Sequence, residues 1–449
     1  MFKTLKNAWR IPELKKKLLF TLLIVVLYRL GANIPVPYVT PQLFEQANAI
    51  SGGTILSFLN QLSGGALSRA TLLALGVSPY ITSSIVVQLL AVAFPNSLGK
   101  WSKDGDEGKK KITMLTRIIT VVLALITAIG YAIFLKNGGG TGTTYLVVEP
   151  NFFHYAVIVM CYCAGAALVM WLAEKINESG IGNGISIILF ANIIAGLFST
   201  FTQLWQNVFP FGTFSSFDWI GLICSIASII VLLGMVVLIV WMSDAERRIP
   251  IQYAKRVVGR KMYGGQNTHL PLKVNMSGVM PIIFANSIVA ILPTIKEFMS
   301  PNGFTRFVDK WLDADTWPYF VAFLVLLIAF AYFYVAISFN PVEVANNIKN
   351  NGGAIPGIRS GRPTVEFIKK VLNRITLVGA LLVAFIACLP LLVNNISTML
   401  SFNNQLGYGY FTPLMFVGSS MMIMVGVALE TTRELEAQMT LRNYKGFLD

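Results

Sequence analysis

The sequence predicts an all-α polytopic membrane protein: ten transmembrane helices in two inverted five-helix halves, with one short re-entrant helix. Two observations support this class. Of the 449 residues, 55% are hydrophobic and only 12% are charged, whereas a soluble chain carries about 25% charged residues. The apolar residues also cluster in runs of about 20, the length that crosses a bilayer as a helix. The composition excludes collagen-like, disordered and disulfide-rich secreted chains.

Ten such apolar runs follow one another along the chain. The first could be a signal peptide because Lys15–Lys17 precede it, but no small-residue cleavage site follows, and we expect an uncleaved span. The ten predicted spans are 18–35, 72–94, 118–135, 153–173, 185–204, 219–242, 276–295, 318–339, 375–393 and 411–429.

The basic residues lie mostly on one side of the predicted membrane. Of the 35 Lys and Arg residues, 29 fall in the amino terminus, the even-numbered loops and the carboxyl tail. The positive-inside rule therefore predicts that both termini are cytoplasmic. The net charge of +14 follows from this topology, and nucleic acid is not needed to explain it.

Ten spans divide into five and five, and an odd number of spans per half inverts the second half. We predict an N-terminal half over 1–205 with spans one to five. The C-terminal half over 206–449 carries spans six to ten, the loops 243–275 and 340–374, and the tail. The two halves show no convincing sequence similarity, so the repeat is predicted from the span count alone.

The predicted membrane interior offers no candidates for catalysis. Arg29 is the only clear charge in the ten cores, and His154 and His269 are isolated from each other. No phosphate-binding loop, paired aspartates or zinc-binding motif appears, so we expect no enzymatic activity, no cofactor and no metal. The four cysteines have no metal-ligand spacing and are interpreted as small packing residues: Cys161, Cys163, Cys224 and Cys388.

A short apolar segment with a glycine pair at each end follows the first span. It runs from Ser51 to Gly65 and is too apolar for an ordinary external loop and too short to cross the membrane. A re-entrant helix with glycine hinges fits this pattern, and an interfacial helix on the outer surface is the alternative.

Two spans open with irregular sequence. Pro79 cannot donate to the carbonyl of Leu75, so the second span is predicted to bend where Val77 and Ile81 share a face. The fifth span presents Ile185 and Leu189 on one face in the same way. From the residues alone, these aliphatic side chains could equally face lipid or pack between helices.

Two basic loops have ordered sequence patterns. Residues 248–254 and 269–274 alternate with period two, which predicts a hairpin, and a glycine- and proline-punctuated turn over 352–363 presents Arg359. The charge could be ordinary solvated loop charge, or it could dock an acidic or RNA-bearing partner. The basic residues of the hairpin are Arg247, Arg248, Lys255, Arg256, Arg260 and Lys261.

Five stretches of the sequence, which follow one another along the ten predicted spans, resemble the SecY family, the central subunit of the bacterial protein-translocating channel. The resemblance covers nearly the whole chain and is least in the external loops 136–151 and 394–410. The stretches are Gly76–Ile81, Gly180–Ser186, Arg247–Ile249 with Tyr253–Arg256, Thr268–Asn275, and Pro356–Arg359.

The resemblance implies an hourglass channel that passes unfolded secretory polypeptides across the membrane and releases transmembrane segments sideways into lipid. The segment around 54–68 would be a plug that closes the outer funnel, with apolar residues Ile55, Leu56, Phe58, Leu59 and Leu62. Matching positions imply a constriction formed by Val77, Ile81, Ile185, Leu189, Ile283 and Ile423. The family favours isoleucine there, so Val77 and Leu189 depart in shape but not in chemistry.

The resemblance also implies a lateral gate, with spans two and three on one side and seven and eight on the other. Gln88, Asn286 and Ser287 would pair weakly across the closed seam, and a static interhelical bond between Gln88 and Asn286 is the alternative. Signal peptides and nascent polypeptides would be the substrates that open this seam towards membrane lipid.

The resemblance further implies partners for the basic hairpin and the Arg359 turn, namely the motor ATPase SecA and the ribosome. Arginine suits both, since it pairs with carboxylates and with phosphates. SecE and SecG would complete the complex in the bacterial plasma membrane. Two other classes were weighed: an inverted-repeat carrier for a small solute, which the lack of membrane charges disfavours, and a membrane-embedded transferase or protease, which lacks acting residues.

Overall fold

The computed structural model describes residues 2–39, 55–94, 98–137, 146, 151–208, 219–253, 256–258, 261–263, 267–297, 302–311, 316–400 and 417–445. Within them, helices dominate and the strands are confined to the segment between 246 and 273 and to a short piece near 353. Each of the ten predicted apolar runs overlaps one helix, in agreement with the predicted all-α class.

The first half of the chain contains eight of the described helices. They are α1 (Phe2–Arg10), α2 (Pro12–Gly31), α3 (Ile55–Ser63), α4 (Ser78–Ala93), α5 (Leu98–Lys103), α6 (Gly105–Asn137), α7 (Phe152–Ser179) and α8 (Gly184–Val208).

The second half continues with seven described helices and five strands. The helices are α9 (Trp219–Asp244), α10 (Met280–Glu297), α11 (Gly303–Trp311), α12 (Trp317–Ser338), α13 (Pro341–Asn350), α14 (Arg362–Leu400) and, after a gap, α15 (Val417–Lys445), of which α11 and α13 are short connecting helices. The strands are β1 (Glu246–Tyr253), β2 (Arg256–Val258), β3 (Lys261–Tyr263), β4 (Asn267–Lys273) and β5 (Gly353–Ala354).

Six helical segments of the described chain are long and apolar enough to cross a membrane, and two apolar helices are shorter. Many of their large apolar side chains are exposed, as expected for helices that face lipid. The six segments are Gly105–Lys136, Phe152–Ser179, Gly184–Thr202, Gly221–Asp244, Trp317–Asn350 and Arg362–Val393, and the shorter two are Ser78–Ala93 and Met280–Pro293.

The start of the second predicted span differs from the sequence expectation. The predicted bend at Pro79 is wrong, because α4 begins at Ser78 and Pro79 lies in its first turn. Proline has no N–H to lose there and its φ suits the helix start. The preceding residues form turns, and Gly76 has a left-handed φ of +54°, which only glycine adopts readily.

One large apolar core joins the long helices of both halves. Its buried residues come from α2, α4, α7 and α8 in the first half and from α9, α10, α12, α14 and α15 in the second. A second core lies between α6, α7 and the turn around Leu67 to Ala74. The two halves are therefore packed against each other, and any path between them must run through the first core.

The predicted hairpin is present beside the ends of the long helices. Strands β1 and β4 pair antiparallel from Glu246↔Lys273 to Gln252↔Asn267. On its other edge β1 pairs with β5 through Gln252↔Ala354, which gives a three-stranded sheet in the order β4-β1-β5. The sheet packs on α13 and the first part of α14 around an apolar core of its own. We call this assembly the hairpin unit.

Candidate functional site

Six branched aliphatic side chains belong to the one large core that joins the two halves. Five are buried and Ile185 is half-buried against them. We call them the neck residues: Val77, Ile81, Ile185, Leu189, Ile283 and Ile423. They come from the start of α4 and from α8, α10 and α15, so the fold brings together residues that are far apart in the sequence.

Two pairs of neck residues have the spacing that places both side chains of a pair on the same side of the backbone. Val77 and Ile81 are four residues apart, as are Ile185 and Leu189, so each pair shares one helix face. Helix α4 packs on α10, and α15 packs on both α8 and α10. Aliphatic groups offer no hydrogen bond to water or to peptide, and an apolar constriction can block ions by dewetting.

The short helix α3 lies against this core. It contacts α8 and α10, Leu59 packs against both large cores, and Leu62 packs against the core that contains the neck residues. This packing favours the re-entrant interpretation over a helix lying on the outer surface. The side chains of Ile55, Leu56 and Phe58 lie outside the described residues.

A polar network holds the carboxyl end of α3. The Asn192 amide nitrogen donates to the Leu62 carbonyl at 2.8 Å and to the Tyr28 hydroxyl at 2.8 Å. Arg29 Nη1 donates to Asn192 Oδ1 at 3.4 Å and to the Gly64 carbonyl at 3.3 Å. Sequence reasoning singled out Arg29 but missed Asn192 and Tyr28, although an asparagine in the middle of an apolar run was a usable signal.

Gly64 makes this close approach possible. Its φ is +67°, and a Cβ atom at this position would lie 2.5 Å from Arg29 Nη1 and 3.0 Å from Asn192 Oδ1. Both the backbone conformation and the space therefore require glycine.

The three residues predicted for a lateral gate lie on two helices that pack together. Gln88 is half-buried on α4, and Asn286 and Ser287 are on α10. Ser287 Oγ donates to the Ile283 carbonyl at 2.7 Å, within its own helix. The Asn286 amide nitrogen is buried and has no hydrogen-bond partner among the described residues, so it does not make the predicted bond across the seam.

The predicted docking residues lie on the hairpin unit. Arg247 and Arg248 are exposed on β1, and Arg359 is exposed in the turn between β5 and α14. The pairing of β1 with β5 thus brings two loops that are distant in sequence next to each other, and Arg248 Nε donates to Glu246 Oε1 at 2.6 Å. Arg256 and Lys261 lie in β2 and β3, but their side chains are outside the described residues, as are Lys255 and Arg260 entirely.

Basic and acidic residues meet where the hairpin unit adjoins α9 and α15, since Arg433 and Lys273 lie near Asp244, Glu246 and Glu430. Arg433 Nη2 donates to Asp244 Oδ1 at 2.8 Å and to the Ser243 carbonyl at 3.0 Å. Partial burial of the Lys273 ammonium group, followed by repulsion from Arg433, lowers the pKa of Lys273 below the ordinary lysine value.

Long apolar helices packed around one large aliphatic core define a class, the multi-pass membrane proteins. A family profile described as SecY matches residues 71–432. The chain is 42% identical to the protein translocase subunit SecY of Streptomyces galbus over 100% of both chains. It is 38% identical to that of Bacillus licheniformis, again over 100% of both. The chain belongs to the SecY family.

The solved structures that resemble this chain have the same fold. One, described as a protein-conducting channel, has a TM-score of 0.65 at 16% identity and is matched over 95% of this chain and 92% of its own. Another, Sec61 in the canine ribosome-channel complex from the endoplasmic reticulum, has a TM-score of 0.61 at 15% identity with the same coverage. With the family, this fold decides for a protein-conducting channel and against the small-solute carrier.

Proposed function

We propose that this chain forms the path by which unfolded secretory polypeptides cross the bacterial plasma membrane and by which transmembrane segments pass sideways into lipid. Both termini would be cytoplasmic, and the path would run between the halves 1–205 and 206–449. The observation that carries this proposal is that the neck residues, drawn from four elements of both halves, all belong to or pack against one large apolar core.

The neck residues would form the constriction of the channel. In the closed state their side chains pack on one another, and an extended polypeptide would pass by separating them. Because aliphatic groups offer no charge and no hydrogen bond, they would not hold a passing peptide, whatever its sequence. Helix α3 would be the plug, since Leu59 and Leu62 pack against the same core.

The seam between α4 and α10 would be the lateral gate, with Gln88, Asn286 and Ser287 along it. An unpaired buried amide such as that of Asn286 is costly, by about 1–3 kcal/mol. Opening the seam would give it water or peptide partners. A polar seam of this kind would therefore be weak enough for an apolar signal helix to displace.

The hairpin unit would be the docking site for the motor ATPase SecA or the ribosome, and SecE and SecG would complete the complex. Exposed arginines on both basic loops support this proposal because they pair with carboxylates and with rRNA phosphates. The driving force would come from these partners or from the membrane potential, as the chain has no phosphate-binding loop.

Photo-crosslinking tests the proposed path. A crosslinking residue replaces Ile81 in membranes that carry a secretory chain jammed midway, and the matched control replaces Val325, a 57% exposed residue of α12. We expect a crosslink to the jammed chain at position 81 and none at position 325. If the jammed chain is verified and no crosslink forms at position 81, Ile81 only packs between helices and does not line the path.

A further inference from the structure

The polar network at the end of α3 joins α2 to α8 and donates two hydrogen bonds to the carboxyl end of α3, at the Leu62 and Gly64 carbonyls. Asn192 is completely buried, and both of its amide hydrogens and its oxygen are engaged. One of its acceptors, the Leu62 carbonyl, belongs to the last turn of α3, where carbonyls have no partner within the helix. Arg29 completes the network through the Gly64 carbonyl.

The chain after this point is fixed by separate contacts. Tyr131 Oη donates to the Leu67 carbonyl at 2.6 Å, and the Leu72 amide donates to the Ile34 carbonyl at 2.8 Å. Gly64 and Gly65 lie between α3 and this anchored turn, both with left-handed φ values of +67° and +86°. Helix α3 is bonded to this turn as well, since the Leu67 amide donates to Ser63 Oγ at 3.1 Å and the Ser68 amide donates to Asn60 Oδ1 at 2.9 Å. Because glycine adopts many conformations, Gly64 and Gly65 are where α3 can rotate once these two bonds are broken.

Displacing α3 breaks the hydrogen bond from Asn192 to Leu62. In an apolar surrounding, the freed amide and carbonyl are left without partners, which is unfavourable until water reaches them. The closed position of α3 is thus stabilised by a polar contact whose loss is compensated only when the neck region is hydrated.

We propose that Asn192, supported by Arg29 and Tyr28, is a positioning residue that clamps the carboxyl end of α3 and sets the threshold for channel opening. This inference rests on the proposed role of α3 as the plug. A weaker clamp lowers the threshold, so that less apolar signal sequences suffice to open the channel and the resting channel conducts more ions.

The first test replaces Asn192 in the complete translocase complex, reconstituted in planar bilayers. Asn192→Ala removes the clamp, and Asn192→Asp keeps the volume and the acceptor for Arg29 but removes the donor to Leu62. We expect both variants to raise the resting ion conductance about tenfold, the factor that corresponds to about 1.4 kcal/mol, and to export precursors with weakened signals. The matched control is Ser83→Ala, which removes a buried bond to the Thr116 carbonyl away from α3.

The second test fixes α3 with a disulfide between Gln61→Cys and Gly196→Cys. A Cβ at position 196 would lie 3.1 Å from Gln61 Cγ and 3.9 Å from its Cα, close to the Cβ separation that a disulfide needs. The four native cysteines are replaced by alanine. We expect oxidation to block translocation, reduction to restore it, and oxidation to return the conductance of the Asn192→Ala variant to its resting value.

The two tests separate the clamp from the plug. If the oxidised disulfide leaves translocation unaffected, α3 does not move during transport, and the plug and the clamp both fail. If oxidation blocks translocation but neither Asn192 variant changes the conductance or the signal requirement, the plug stands and the clamp is wrong. A conductance rise equal to that of Ser83→Ala would also contradict the clamp, because general loosening would explain it.

Discussion

Replacing Ile81 by asparagine should open the neck to water. Ile81 is 6% exposed and packs in the core with the other neck residues. In the closed neck, a buried amide without partners costs about 1–3 kcal/mol, whereas in a hydrated neck water satisfies it. At about 2 kcal/mol, the ratio of closed to open channels falls roughly 30-fold.

The assay measures ion conductance of the reconstituted complex and export of a precursor whose signal sequence has been made less apolar. We expect the Ile81→Asn complex to conduct ions at rest and to export that precursor, because part of the opening free energy is already supplied. Signal-sequence selectivity should relax in proportion to the conductance.

Two control variants isolate the effect of position. Ile81→Leu conserves the volume and should behave like the parent chain. Ile158→Asn places the same amide in the core between α6 and α7, where Ile158 is 1% exposed, and should lower the stability without raising the conductance. Parental conductance and selectivity of a normally assembled Ile81→Asn complex would refute the assignment of Ile81 to the neck.

Three further predictions concern the other parts of the channel. Gly64→Ala should raise the resting conductance, because its Cβ displaces Arg29. Gly65→Ala should raise it far less, because its φ of +86° is no less strained than the +67° of Gly64 but nothing lies within 4 Å of its Cβ; equal effects would contradict this reason. Arg359→Glu should weaken SecA docking at least tenfold, by loss of a charge-assisted bond of about 1.5–3 kcal/mol, while the amount of the variant chain in the membrane stays normal. The control is Arg362→Glu, because Arg362 already pairs with Glu366. If the Arg359→Glu variant docks SecA like the parent chain, Arg359 has no role in docking. Asn286→Leu should raise the thermal stability of the complex and reduce the export of precursors with weak signal sequences, because it removes an unpaired buried donor. If neither the melting temperature nor the export changes, there is no gate at this position.

The helices and the hairpin were predictable because their signals are local. Runs of about 20 apolar residues need only length and composition to be recognised, and the period-two pattern of Ile249 and Ile251 matches their burial on β1. The start of α4 was harder to predict from the sequence. Pro79 is compatible with a bend inside a helix or with a helix start, and only the left-handed conformation of Gly76 before it decides between the two.

The candidate site was predictable only in part, because its contacts are not local. The neck residues were found through resemblance to a family, since isoleucine and valine in an apolar run are indistinguishable from residues that face lipid. Asn192 was missed because its partners, Tyr28 and Leu62, are 164 and 130 residues away along the chain. The pairing of β5 with β1 was missed because two residues carry no strand pattern.

The pairing of β1 with β5 has a mechanical consequence. Strand β1 follows α9 after a single residue, β4 leads to α10, and α13 with β5 connects α12 to α14. A partner that presses on the hairpin unit therefore exerts a force on the ends of four long helices, α9, α10, α12 and α14. This follows because the sheet and its apolar core pack the connections between these helices together. Because α10 carries both Ile283 and Asn286, a force on this helix would act on the proposed neck and on the proposed seam. A push at the surface would reach both without any chemical signal passing through the membrane.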